Sequence, residues 1–191
     1  MSLNGETTDV AKGQADLQIG KGPRQPRENL VDLLLECHQR IRSFSALARE
    51  VSEQSEYDSE KVAEACLSVA RYFAQALPLH VSDEELSILP RLIGKHPKID
   101  HALALMQAQH TNHRRPLERL VEICSELAQG SPRAIELGAE LRPLSQDVER
   151  ELSEHLRLEE SLIFPAIIEH LTNAEQATVV RELRARRQLT P

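Results

Sequence analysis

From Glu28 onward, apolar residues recur every three or four positions, the spacing that lays one stripe along an α-helix. A first helix, expected over about residues 28–52, carries Leu30, Val31, Leu34, Leu35, His38, Ile41, Phe44 and Leu47 on that stripe. Tyr57-Asp58-Ser59 then reads as a turn, with Ser59 or Asp58 as the N-cap of a second helix over about residues 59–93. Its stripe is Val62, Cys66, Val69, Phe73 and Leu77, leading to His80; Pro78 predicts a kink and Gly94 a C-cap. A third helix, about 98–129, stripes Ile99, Leu103, Met106, His110, Leu117, Leu120 and Cys124 and stops at Gly130-Ser131-Pro132. Ser131 as N-cap with Pro132 in the first turn opens a fourth, about 132–170, and a short fifth is expected outside the others at about 173–187.

Four long helices joined by short turns predict an all-α protein, an antiparallel up-down four-helix bundle with a short extra C-terminal helix. Residues 1–26 hold glycines and prolines among polar residues, with too few large apolar side chains to offset the entropy of ordering. They are expected to be a flexible tail, leaving residues 27–191 as one domain.

Composition narrows the function classes. With 23 basic against 30 acidic residues the net charge is −7, which opposes binding to a nucleic-acid backbone. The one basic cluster, Arg181, Arg184, Arg186 and Arg187, sits where cations complement a helix C-terminus. No apolar run reaches the ~18 residues of a membrane span, and the N-terminus has no signal-like hydrophobic stretch. Cys37, Cys66 and Cys124 are widely spaced in apolar helical patterns and read as reduced core thiols. A cytoplasmic protein is expected, with no nucleic-acid or membrane partner.

Chemistry enters through a repeat. His80-Val-Ser-Asp-Glu84-Glu85-Leu-Ser-Ile88-Leu-Pro90 and His155-Leu-Arg-Leu-Glu159-Glu160-Ser-Leu-Ile163-Phe-Pro165 share one template. Histidine is followed by Glu at +4 and +5, Ile at +8, Leu or Phe at +9 and Pro at +10. Residues four apart on a helix share a face, with Cβ atoms about 6 Å apart, so each copy aims a nitrogen and an oxygen at one point. A single His-x-x-x-Glu is common by chance in so glutamate-rich a chain; six matched offsets in two copies are not. The helix before each copy carries its own inward histidine: His38, below Val31, Leu34 and Leu35, and His110, below Leu103 and Met106. Buried imidazoles and carboxylates on four helices predict a dinuclear metal site in the bundle core. The donor set suits iron, with zinc and manganese as alternatives, and two carboxylates able to bridge favour a redox-active iron pair.

The order His, His-x-x-x-Glu, His, His-x-x-x-Glu, each pair followed by a second Glu and an apolar-apolar-Pro segment, resembles the hemerythrin-like (HHE cation-binding) family over about residues 28–170. That resemblance implies a four-helix bundle around an oxo- or hydroxo-bridged di-iron centre. It carries the metal-ligand role to His38, His80, Glu84, His110, His155 and Glu159, with Glu84 and Glu159 as the bridges. It also implies a small ligand such as O2, NO or peroxide, bound for sensing, buffering or protection. A di-iron enzyme acting on peroxide or NO, and an iron storage or delivery protein, are the rival readings.

Two departures from the oxygen-carrying members bear on that choice. Those members have a His-x-x-x-His pair on the third helix, where this chain has Arg114 at the second position and His113 three residues after His110. They also place the last carboxylate five residues after its histidine, where here Glu159 follows His155 by four. Four histidines, two bridging carboxylates and one oxygen bridge leave two positions open on a six-coordinate pair. A fifth histidine would leave one. Met106 and Leu117 centre the stripe on His110, making His113 a neighbour or an additional ligand. Glu85 and Glu160, rotated about 100° from the ligands, are expected to face a neighbouring helix or solvent, with the orienting of a histidine the lesser reading. His96, His101 and His170 are expected at the surface.

Overall fold

The computed structural model describes residues 29–54, 56–57 and 59–189, so the expected tail over 1–26 lies outside the described residues. Among the described residues every regular element is helical. Helix α1 is Leu30–Ser52, capped by the Asn29 side chain, which accepts from the Val31 N–H at 3.1 Å. Helix α2 covers residues 60–92 and starts at Ser59, whose Oγ accepts from the Val62 N–H; Asp58, the other candidate cap, is outside the described residues. Gly94, at φ +79°, turns the chain just past its end.

Helix α3 is Pro97–Ala128. His96 is exposed, as expected, yet it also caps α3, its Nδ1 accepting from the Lys98 N–H at 3.1 Å. Helix α4 covers residues 134–170 and begins two residues later than the sequence suggested. Ser131 accepts from the Arg133 N–H through its Oγ and from the Ala134 N–H through its carbonyl, so Pro132 belongs to a turn leading into the helix. Helix α5 is Asn173–Leu189. No described helix is long and apolar enough to cross a membrane.

Helices α2 and α4 contain π turns at Tyr72–Ala76, Glu84–Ile88 and Glu159–Ile163. Each is closed by an N–H donating five residues back, from Leu77 to Tyr72, Leu89 to Glu84 and Phe164 to Glu159. In all three the next residue is a proline, which has no N–H and crowds the carbonyl four residues earlier. The wider turn moves that carbonyl aside, so the disturbance expected at Pro78 takes this form. Proline alone does not suffice, because Pro116 and Pro143 lie inside unbroken α-helix.

The π turns also keep a stripe straight. At 3.6 residues per turn a spacing of four drifts by about 40° per step, and a wider turn reverses one such step. His80, Glu84, Ile88 and Leu92 therefore all stay buried, as do His155, Glu159, Ile163 and Ile167.

Two apolar clusters fill the interior. One gathers Ile41, Ala48 and Val51 of α1, Val62 through Leu77 of α2, Leu120 to Leu127 of α3 and Leu137 to Leu156 of α4. The other gathers Leu30 and Leu34 of α1, Ile88 and Leu92 of α2, Leu103 and Met106 of α3, Ile163 and Ile167 of α4, and Val179, Val180 and Leu183 of α5. Cys66 and Cys124 are buried free thiols of the first cluster. Cys37 is only half-buried and belongs to neither, because its position on α1 faces the seam with α5 rather than the core.

The C-terminal arginines do more than complement a helix end. Asp83 of α2 is completely buried, and Arg186 and Arg187 of α5 both donate to it, the latter at 2.7 Å. Arg186 also reaches Ser87, and Arg91 of α2 binds Glu182 of α5 through Nη1 and Nη2. Charge pairing thus docks α5 onto the segment of α2 that carries Glu84.

Gly138 of α4 lies directly under the ring of Tyr57, where an added Cβ would overlap ring atoms. The ring is held by its hydroxyl, which donates to the Ser52 carbonyl at 3.2 Å. Overpacking a fixed ring costs about 1–3 kcal/mol, more than the ~1 kcal/mol that alanine gains over glycine in a helix. Gly138→Ala should therefore lower the urea midpoint in the wild-type background and raise it in a Tyr57→Ala background.

Candidate metal centre

Between the two apolar clusters lies a layer of polar side chains drawn from four helices. His38 comes from α1, His80 and Glu84 from α2, His110 from α3, and His155 and Glu159 from α4; all are buried except His110, which is partly buried with 6% of its side chain exposed. All four imidazoles turn Nε2 inward. His80 Nε2 lies 3.0 Å from Glu84 Oε1, and His110 Nε2 lies 3.2 Å from Glu84 Oε2. His155 Nε2 lies 3.1 Å from Glu159 Oε1, and His38 Nε2 lies 3.0 Å from Glu159 Oε2. Each carboxylate therefore gives one oxygen to the histidine of its own helix and the other to the histidine of a neighbouring helix.

The donor atoms fall into two groups, each within 4.8 Å overall: His38, His80, Glu84 and Glu159, and His110, His155, Glu84 and Glu159. Each group has two imidazole nitrogens and a share in both carboxylates. Despite the short separations, His38 Nε2, His80 Nε2 and all four carboxylate oxygens have no hydrogen-bond partner of acceptable geometry. Buried polar atoms that crowd together without hydrogen bonds are what a cation would satisfy. Two nitrogens and two oxygens per group fit iron, manganese or zinc.

On the outer side, Nδ1 of three histidines meets a side-chain oxygen. Glu160 Oε1 accepts from His38 at 2.8 Å, Glu85 Oε1 from His110 at 2.9 Å, and Gln109 Oε1 from His155 at 3.0 Å. An Nδ1–H bound in this way leaves Nε2 free to hold a cation and fixes the ring plane. The second glutamate of each template thus crosses to the neighbouring helix and orients its histidine, the role the sequence reading had placed second.

A match to known sequences bears on the same residues. A family model for the hemerythrin HHE cation binding domain matches residues 29–185. The chain belongs to that family. No curated protein matches it. This HHE chain therefore combines a metal-binding helical domain with two His/Glu groups that could hold a metal.

His113, the candidate additional ligand, is buried but lies outside both groups, its ring edge-on to His155 with centroids 5.4 Å apart. Burial, with His155 and His110 nearby, pushes its pKa down to about 4, so it stays neutral at pH 7. His101 is exposed and His170 partly so, both far from this layer in their helices. The sequence reading missed Gln109 and Asp83. Gln109 is adjacent to a stripe histidine, and Asp83 is a polar residue in a repeat whose other copy has Leu158; those were the available signals.

The layer balances its own charge when no cation is bound. Burial opposes protonation of His80, but Glu84, Cys37 and Glu159 outweigh it and hold the imidazole well above its ordinary value. Burial likewise opposes His110, which Glu84 and Glu85 raise. Burial would raise Glu84, yet His80 and His110 hold it well below the usual carboxylate range. An entering cation must displace the imidazole protons, so apparent affinity weakens as pH falls through the raised histidine values. Adding Zn2+ to metal-free protein in weak buffer at pH 7 should release about two protons per filled chain. Uptake without proton release would contradict this charge balance.

Proposed function

We propose that this HHE domain is an up-down four-helix bundle holding two iron ions, and that it binds or senses a small molecule such as O2, NO or peroxide through them. The division of both carboxylates between the two histidine pairs carries this reading, because it gives the geometry of two cations joined by two bridges. The bundle topology is supported by the apolar clusters. The cluster that takes the N-terminal parts of α1 and α3 takes the C-terminal parts of α2 and α4.

His38 and His80 would hold one ion, His110 and His155 the other, and Glu84 and Glu159 both. Iron bound there would supply a redox-active Lewis acid. Four protein donors per ion would leave coordination positions free for a small ligand. A groove of about 280 Å³ between α1 and α4 is lined by Ile41, Arg42, Ser45, Glu149, Leu152 and Leu156, residues one turn past His38 on α1 and next to His155 on α4. The three free thiols support a reducing, cytoplasmic setting.

Anaerobic loading should give about two irons per chain, and Glu84→Ala or Glu159→Ala should abolish the paired site, read by metal analysis and the optical spectrum. Two intact iron sites after both substitutions would sink the proposal. Reversible spectral change with O2 or NO favours a binding role, sustained peroxide loss an enzyme, and many irons per chain storage.

A further inference from the structure

The two π turns that begin at the carboxylates of the metal layer are supported differently from outside. In the turn Glu84–Ile88 of α2, Ser87 is buried, and so is Asp83, the residue before the turn. One guanidinium reaches both: Arg186 of α5 donates through Nη1 to Asp83 Oδ1 and through Nη2 to Ser87 Oγ. Arg187 donates to the other oxygen of Asp83 at 2.7 Å, and Arg91 Nη1 to the Ser87 carbonyl at 2.6 Å. In the turn Glu159–Ile163 of α4 the matching residues are Leu158 and Leu162, which offer no hydrogen-bonding side chain.

Glu84 is the first residue of the turn that Arg186 spans, and it has to present one oxygen to His80 and the other to His110. A rotation of the backbone at this point moves both contacts at once. The guanidinium is planar with its donors in a fixed fork, so gripping Asp83 and Ser87 together holds the flanks of the turn in one relative orientation. The grip comes from a helix with its own seat: α5 also packs Val179, Val180 and Leu183 into the neighbouring apolar cluster and pairs Glu182 with Arg91. It therefore keeps its place when the Arg186 contacts are removed.

We propose that Arg186 is a positioning residue for Glu84, acting through the π turn that starts there, and that the docking of α5 is thereby linked to metal binding. The inference rests on the two-metal reading above. Linkage is reciprocal: by whatever factor the docked arginine strengthens metal binding, a bound metal strengthens the docking of α5 by the same factor. Because both donor groups include Glu84, the effect falls on both metal positions. The C-terminal helix is the part of the molecule whose local stability reports the occupancy of the site.

Co2+ titration of the metal-free full chain, read by stoichiometry and the electronic spectrum, tests this together with hydrogen exchange of the α5 amides with and without Co2+. Wild type should bind about two Co2+ per chain. Loading should slow exchange in α5 more than in α4 near Leu137 and Leu141, which belong to the other apolar cluster. Arg186→Met should weaken both positions by about tenfold, the lower end of what losing an outer partner costs, and remove the extra slowing of α5. Arg186→Lys should recover part of each. A contact that serves stability alone would instead speed α5 exchange by one factor in metal-free and loaded protein alike. If Arg186→Met does not fold, adding Asp83→Leu and Ser87→Leu gives the turn the apolar residues of its counterpart at Leu158 and Leu162, and the same losses are expected. Wild-type affinity in the variant, weakening confined to one position, or an α5 response to Co2+ that survives the substitution overturns the assignment. A wild-type chain that takes up no Co2+ overturns the two-metal reading and, with it, the assignment.

Discussion

Glu84 and Glu159 are essentially unexposed in the middle of a helical bundle, with apolar clusters above and below them. An isolated buried carboxylate there would be prohibitively costly, so each must be surrounded by positive charge. Imidazoles of four helices surround them, and those of His80 and His110 are held above their ordinary pKa by the carboxylates. This requirement ties the helices to one another at a single level. It also explains why the polar layer is so complete: one missing partner would leave a buried charge or dipole unmatched.

The backbone is adapted to the same end. A histidine, a glutamate and two further core residues at successive spacings of four would wind off the face of a regular α-helix. The π turns that start at Glu84 and Glu159 correct the drift, and the prolines two residues beyond them make a regular turn unfavourable there. Local chemistry and tertiary packing therefore favour the same irregularity. The outer residues differ more between the two halves: Asp83 against Leu158, Ser87 against Leu162, Cys37 against Gln109. All three differences lie on the side where α5 docks, so a near-symmetric interior is wrapped asymmetrically.

Much of this was legible in the chain. The apolar period placed all five helices to within about two residues, because burial of one face dominates helix position over such lengths. The repeated template singled out His80, Glu84, His155 and Glu159, and the stripes added His38 and His110, since these side chains must share a face with their apolar neighbours. The start of α4 was misplaced because Ser131-Pro132 can open a helix or a turn with equal local chemistry. Cys37 was misread as a core thiol because a periodic stripe does not show which of its edges meets another helix.

The sequence by itself determined the helical class, the periodic faces and the types of donor presented to the interior, because these follow from spacing along one helix. Only the tertiary structure decided how the donors combine. Which oxygen of Glu84 meets His80 and which meets His110, whether Glu85 and Glu160 turn to solvent or to a histidine, and where His113 stands relative to His155 depend on the rotation and separation of neighbouring helices. Those quantities are set by packing between residues far apart in the chain, so no local pattern encodes them. The burial of Asp83 beneath Arg186 and Arg187, separated from it by about a hundred residues, has the same origin.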